Sequence, residues 1–150
     1  MKIAYLTSGP RGAGKTTYVD AIKEIVPSIP VICNDRLWME IYGTTLHDPY
    51  SCNHRVVSSQ LFRLLKQYLS SEEKSNVVLV DSWNGFSRDR RDFIWRAREL
   101  GADKVYCLQF FLPIDVNVDW FMKKTDKGSL TEADVRWNYD LYYEEARGIE

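Results

Sequence analysis

The segment Gly9-Pro10-Arg11-Gly12-Ala13-Gly14-Lys15-Thr16 satisfies the pattern Gly-x-x-x-x-Gly-Lys-Ser/Thr in full. It constrains the fold more than any other feature of the chain. Glycines let a backbone turn so that successive N–H groups point into one concavity, and a following helix N-terminus adds its dipole. Such a concavity takes phosphate oxygens. Lys15 would reach the β- and γ-phosphates of a nucleoside triphosphate, and the Thr16 hydroxyl would hold Mg²⁺. Gly9, Arg11, Gly12, Ala13, Gly14, Lys15, Thr16 and Thr17 are therefore the candidate nucleotide-binding residues. The pattern needs a strand before it and a helix after it. Residues 3–7 form a short β-type run, and residues 15–26 suit a helix that Pro27 stops.

The rest of the chain continues that alternation. Residues 29–33 read as a second strand, 35–42 as a helix, and 43–53 as irregular with Asp48-Pro49 as a breaker. From 54 to 69, Val57, Leu61, Leu64, Leu65, Tyr68 and Leu69 recur at the spacing of one buried helical face. Residues 77–80 are a continuous apolar run ending in Asp81, as expected of a strand covered on both faces. A helix over 88–100, a strand over 105–111 and a helix over 114–124 follow. A polar loop then leads to Thr131-x-x-Asp134, a capping box that opens a last helix to about Arg147. The pattern predicts an α/β fold of three layers, a parallel sheet of about four to five strands with helices on both faces. Ligands in such sheets sit at the carboxyl ends of the strands.

Composition narrows the field by exclusion. With 150 residues, 45% hydrophobic and 27% charged, the chain suits one ordinary globular domain. Lys and Arg number 20 against 21 Asp and Glu, so the net charge of −1 offers no broad basic coat for long nucleic acid. Three cysteines without metal-type spacing suit reduced thiols, and no apolar run suits a signal peptide or a bilayer span. These features lead to the expectation of a cytoplasmic protein without a membrane partner.

Two carboxylates stand where chemistry would need them. Asp35 follows the second strand and could accept the proton of an attacking hydroxyl; capping the next helix is an equal reading of its spacing. Asp81 ends the most apolar strand, suited to a carboxylate near Mg²⁺. Lys123, Lys124 and Lys127 make a basic loop before Gly128, either a lid over a transferring phosphoryl group or a solvated surface. Arg88, Arg91, Trp95 and Arg98 can share a helical face that would grip an acceptor phosphate or nucleic acid, or simply face water. Trp83 could stack a base or pack. The GTPase motifs Asn-Lys-x-Asp and Asp-x-x-Gly are absent from the sequence, and the length is short for an ATPase motor.

Taken together, these residues resemble the P-loop kinase domain of phage-type polynucleotide 5′-hydroxyl kinases and their small relatives, including zeta-toxin-like kinases. The likeness runs from Lys2 to about Tyr143. It implies ATP, Mg²⁺ and transfer of the γ-phosphoryl group to a hydroxyl. By the same likeness Ile32-Cys33-Asn34-Asp35 carries the general base at Asp35, and Asp81 to Asn84 with Arg88 to Arg91 resembles an Asp-x-x-Asn…Arg-Arg segment. Residues 123–130 fall where that family has a basic lid, and 131–143 resembles its closing helix, which carries Arg136. The chain departs from the family at two points. Lys127 stands where the lid usually presents arginine, and Trp38 replaces an arginine three residues beyond the aspartate, with Arg36 nearby as a substitute.

The expectation is thus a single kinase domain over residues 1–150, without an attached phosphatase. Lys15, Asp35 and Lys127 would be its catalytic residues, and Thr16 and Asp81 its metal residues. Arg36, Asn84, Arg88, Arg91, Lys123, Lys124 and Arg136 are candidates for acceptor or lid contacts. The acceptor would be a polynucleotide 5′-hydroxyl or nucleoside-like group. A nucleoside monophosphate or small metabolite is the alternative acceptor, and a non-catalytic nucleotide-binding module is the reading from another class.

Overall fold

The computed structural model describes residues 1–45, 50–72 and 75–146, with side chains to 144. Its elements are β1 (Ile3–Ser8), α1 (Lys15–Ile25), β2 (Val31–Cys33), α2 (Asn34–Tyr42) and α3 (His54–Ser70). They continue as β3 (Val77–Asp81), α4 (Ser87–Glu99), β4 (Lys104–Gln109), α5 (Ile114–Met122) and α6 (Glu132–Ala146). The four strands form one parallel sheet in the order β2-β3-β1-β4. The Asp48-Pro49 breaker and Arg147 lie outside the described residues.

Strand periodicity sets the layers, because successive side chains of a strand point to opposite faces. Ala4, Leu6, Ile32, Val78 and Val80 point one way, into a core with Leu37 and Trp38 of α2, Leu61 and Leu65 of α3, and Phe93 and Ala97 of α4. Tyr5, Val31, Val77 and Leu79 point the other way, onto Val19 and Ile22 of α1. A smaller cluster joins α5 to α6 through Val118, Phe121 and Val135. β3 is covered on both faces, so its run of apolar residues needs no alternation.

Where observed bounds differ from the expected ones, backbone hydrogen bonding explains the shift. β2 begins at Val31 and not at residue 29, because Ile29 donates to Val26 in a turn and Pro30 has no N–H. β4 ends at Gln109, although Phe110 still donates to Ser8, and Pro113 then precedes α5. α5 stops at Met122, where Lys123 is its C-cap. The capping box forms as expected, with the Thr131 N–H and hydroxyl on the Asp134 carboxylate at 2.7 and 2.8 Å. These bonds hold the exposed Asp134 carboxyl below its ordinary range.

Among the described residues, no helix is long and apolar enough to cross a membrane. The cysteines Cys33, Cys52 and Cys107 are free and half-buried, and burial pushes the Cys33 and Cys107 thiols up.

Candidate active site

The carboxyl ends of β1 and β3 meet at one edge, and the phosphate loop springs from there. Gly12 and Gly14 both take left-handed backbone conformations, with φ of 79° and 89°. At Gly12 a side chain is also sterically barred, since a Cβ would lie 2.7 Å from Phe121 Cβ and 2.8 Å from the Asn117 carbonyl oxygen. Only glycine fits there. Gly14 is the N-cap of α1, has no side chain to cap the helix, and the first turn holds no acidic residue. A helix leaves its first N–H groups without intrahelical acceptors. Here they open onto the loop, which suits an anion.

Lys15 folds back over the loop. Its Nζ donates to the Gly9 and Pro10 carbonyl oxygens at 2.7 and 2.8 Å. The side chain as a whole is partly exposed, but the ammonium is enclosed, and that desolvation pushes its pKa down to about 8. Asp81 and then Asp35 oppose the shift, while Lys124 and Arg11 reinforce it. Both carboxylates singled out in the sequence therefore act on the same lysine, and so does one lysine of the basic loop.

Asp81 is only 4% exposed and both of its oxygens are engaged. Oδ1 lies 3.1 Å from the Thr7 hydroxyl, which in turn receives the Ser82 N–H at 3.0 Å. Oδ2 accepts from the Thr16 hydroxyl at 2.8 Å. Magnesium takes hard oxygen ligands and keeps few protein ones beside phosphate oxygens and waters. A threonine hydroxyl bonded to a buried carboxylate at the mouth of a phosphate loop fits that ion. Among the described residues no group of three or more His, Cys, Asp or Glu could hold a metal. Thr16 and Asp81 would thus act together with phosphate oxygens.

Asp35 lies in the first turn of α2 and is exposed, but it does not cap that helix: Cys33 is the N-cap, with no side-chain cap bond. Among the described residues the Asp35 carboxylate has no hydrogen-bond partner. Arg36 pairs with Asp20 of α1 at 3.7 Å. Trp38 is buried and packs edge-on to His54, so it belongs to the core.

The loop after β3 is held from within. Asn84 adopts a φ of 45° and its amide donates to the Thr7 carbonyl at 2.9 Å. Its own carbonyl receives the Ser8 hydroxyl and the Arg90 guanidinium, both at 3.0 Å. Trp83 is packed edge-on to Phe86 and Tyr142, with its indole N–H 3.3 Å from Asn138 Oδ1. Arg88, Arg91 and Arg98 lie exposed on α4 beside Trp95, which is 59% exposed.

The basic loop is largely turned on its own roots. Lys123 pairs with Asp119 at 2.7 Å and Lys124 with Asp126 at 3.9 Å, while the Lys127 ammonium donates to the Met122 carbonyl at 3.0 Å. Arg136 is bonded to Glu132 and Asp115, which raises its pKa.

Two asparagines that build this site were not singled out in the sequence, and Arg90 entered only as part of the Arg-Arg segment. Arg90 is 5% exposed and its guanidinium also binds the Gly85 carbonyl at 2.6 Å. Its signal is the spacing Arg90, Phe93, Ala97, one inward face of α4. Asn138 Oδ1 accepts the Arg11 N–H at 2.9 Å, and the Asn117 amide donates to the Arg11 carbonyl. The Arg11 peptide is therefore held on both sides, by α5 and by α6. Asn117 and Asn138 share the inward faces of their helices with Phe121 and Val135, but single asparagines on such faces carry no distinct motif.

No protein-family model matches the chain, and no curated protein does. Solved structures match it. A chain of the Pnkp1/Rnl/Hen1 RNA repair complex superposes with a TM-score of 0.80 at 16% identity, over 99% of this chain and 46% of that chain. The chain shares that structure's parallel α/β fold, with the phosphate loop between β1 and α1. The tunicamycin resistance protein of Deinococcus radiodurans gives 0.67 at 16% identity, over 99% of this chain and 84% of that one. Shikimate kinase from Bacteroides thetaiotaomicron gives 0.62 at 16% identity, over 97% and 80%. This chain thus spans less than half the length of the RNA repair chain and most of the other two.

Proposed function

We propose that this chain is a single-domain ATP- and Mg²⁺-dependent phosphotransferase with a lid near residues 123–130. It would move the γ-phosphoryl group to a hydroxyl, of a polynucleotide 5′ end or a nucleoside-like group. The observation that carries the reading is the Thr16–Asp81 hydrogen bond of 2.8 Å beside the loop that holds Lys15. It joins a metal-type oxygen pair to a phosphate cradle.

Each residue then has a defined task. Loop amides and Lys15 hold the β- and γ-phosphates, and Thr16 with Asp81 would hold Mg²⁺, which neutralises charge on those phosphates when bound. The acceptor oxygen bonds to the γ-phosphorus, its proton passes to Asp35, and the bond to the ADP oxygen breaks. Among the described residues no competing partner engages Asp35, which leaves its carboxylate able to take that proton. Lys127 with Lys123 and Lys124 would close over the transferring group after leaving their present partners. Arg88, Arg91, Arg98 and Trp95 on α4 favour a nucleic-acid acceptor, because guanidiniums can follow phosphates while an indole stacks a base. Arg36, Asn84 and Arg136 serve the acceptor or lid side less directly, each through the contact described above.

The decisive experiment incubates the protein with labelled ATP and a panel of 5′-hydroxyl oligonucleotides, nucleosides, nucleotides and shikimate-like small alcohols. Labelled oligonucleotide is the expected result. Labelled small molecules would replace the acceptor with a metabolite, and ATP binding without transfer would leave a nucleotide-binding module. In the same assay Asp35→Asn should abolish transfer while ATP affinity stays within about threefold, as expected when only the proton acceptor is lost. Retained turnover would remove Asp35 from the mechanism.

A further inference from the structure

The phosphate loop has an aromatic neighbour that no motif announces. α5 packs on the loop through residues 117, 120 and 121, which are neighbours on its helical surface. Asn117 is fully buried and grips the Arg11 carbonyl, Phe121 bars a side chain at Gly12, and Trp120 covers Gly14. A Cβ at Gly14 would lie 3.3 Å from Cζ3 of the Trp120 indole, so the six-membered ring edge rests on the cap of α1. Yet Trp120 is 49% exposed, unlike Phe121 beside it at 5%. A large apolar ring that is in contact with the cradle and still half in water has surface left for a ligand.

Rings also stand at the first turn of α1. Tyr18 follows Gly14 by one helical turn, is exposed, and meets Phe110 edge-on at 5.4 Å between centroids. Lys124, whose charge is felt at Lys15, leaves the same end of α5. Trp120 thus stands between the phosphate cradle and the root of the basic loop. A nucleotide whose phosphates fill the cradle must carry its base out past one rim of it, and α5 forms such a rim.

We infer that Trp120 is a stacking platform for the nucleobase of the nucleoside triphosphate, and that the site selects purines by ring area with little choice between adenine and guanine. The inference deepens the phosphotransferase reading and rests on it. Stacking tolerates any base because every base has a π-face, whereas discrimination between adenine and guanine needs hydrogen bonds to base edges. Asn117, one turn before Trp120 on α5, is fully buried with its amide on the Arg11 carbonyl, so it is not offered to a base edge, and Phe121 beside Trp120 is a ring.

The test measures binding of Mg²⁺ complexes of ATP, GTP, CTP and inorganic tripolyphosphate to the wild type, Trp120→Ala and Trp120→Phe by calorimetry. Tripolyphosphate has the phosphates and no base. The expected result is that Trp120→Ala weakens ATP and GTP by about tenfold or more, the size of a lost base–aromatic stack. Trp120→Phe should stay within about threefold of wild type, because it keeps a ring. Tripolyphosphate should bind all three proteins alike, and wild type should bind ATP and GTP within about threefold of each other but CTP more weakly. Unchanged ATP affinity in Trp120→Ala would overturn the platform while leaving the phosphate site intact. Equal loss of tripolyphosphate would also overturn it, by showing that Trp120 only supports the loop. A wild type that binds tripolyphosphate but strongly prefers ATP to GTP would overturn the purine tolerance. Failure of the wild type to bind either ATP or tripolyphosphate would instead remove the phosphotransferase reading, and the platform with it.

Discussion

The phosphate loop and the basic loop both bring cations to the same edge of the sheet, but they treat them in opposite ways. Lys15 is bonded to carbonyls of its own loop, with no carboxylate among the described residues in hydrogen-bond contact, and its ammonium is enclosed. Lys123 and Lys124 are exposed and neutralised by Asp119 and Asp126. The first arrangement is built in advance: burying an ammonium weakens the free fold but already places it on the loop that would receive phosphate. The second is cheap to fold and would have to be taken apart before it could act as the proposed lid, since exposed ion pairs contribute about 0–1 kcal/mol each. One region stores strain against binding, and the other stores lysines.

The largest test of that contrast is Lys15→Ala. Removing a preorganised donor from developing phosphate charge should lower kcat by about 10²–10³-fold. Thermal stability should not fall, because the variant also removes the cost of burying an ammonium. A steady-state assay paired with a melting curve reads both. A large drop in stability would mean that the lysine holds the loop together and is not strained by it.

The same contrast exists within a single helix. Arg90 and Arg91 are adjacent in the sequence, yet Arg90 is buried on the Asn84 and Gly85 carbonyls while Arg91 is exposed. Arg90→Ala would leave buried carbonyls unpaired and should cost about 1–3 kcal/mol in urea unfolding. Arg91→Ala should stay within about 0.5 kcal/mol, and its effect should appear only as weaker oligonucleotide binding that fades with added salt. Equal stability losses would erase the distinction.

These two arginines also mark what could be read in advance. The strand–loop–helix frame was legible because strands covered on both faces need long apolar runs, such as 77–80, and helices need recurring apolar positions, such as those of α3. The capping box at Thr131 and Asp134 was legible because its chemistry is local. Asp35 could be placed at the end of β2, but whether it caps α2 depended on where the first helical N–H falls, and Cys33 took that position. The Arg11 clamp was not legible, because Asn117 and Asn138 meet only after α5 and α6 pack. Nor was the inward turn of Lys127: a lysine next to a glycine in a polar loop reads as free, and only the folded helix end offers it the Met122 carbonyl.

A pH titration sharpens the preorganised side of the comparison. Lys15 is lowered in the fold, so its charged form is penalised. The penalty is complete below about 8 and is relieved as pH rises toward the unfolded value of 10.5. The free protein should therefore gain stability from this group across that window. ATP binding should run the other way, because phosphate oxygens favour the ammonium. Above pH 8 affinity should fall by up to about tenfold per unit, with proton uptake on binding. Calorimetry in two buffers of different ionisation enthalpy measures that uptake, and Lys15→Arg should abolish it. A flat profile would show that Lys15 keeps its proton without help from phosphate.

The smallest expected effect concerns which lysine of the basic loop acts. Position in the sequence favours Lys127, whereas electrostatics favours Lys124, whose charge already reaches Lys15. Lys127 ties the loop to the end of α5, where a cation suits the helix dipole, so its loss should be felt first in the position of the loop. Each variant should lower kcat by only a few-fold, because neighbouring lysines can share a diffuse phosphoryl charge. The two separate by rescue. Lys124→Arg should restore turnover, since a guanidinium can also reach the phosphates. Lys127→Arg should do so only if that side chain leaves the Met122 carbonyl in the closed state. Rescue at 127 and not at 124 would transfer the role to Lys127, and the lid would then need a larger rearrangement than the ion pairs alone require.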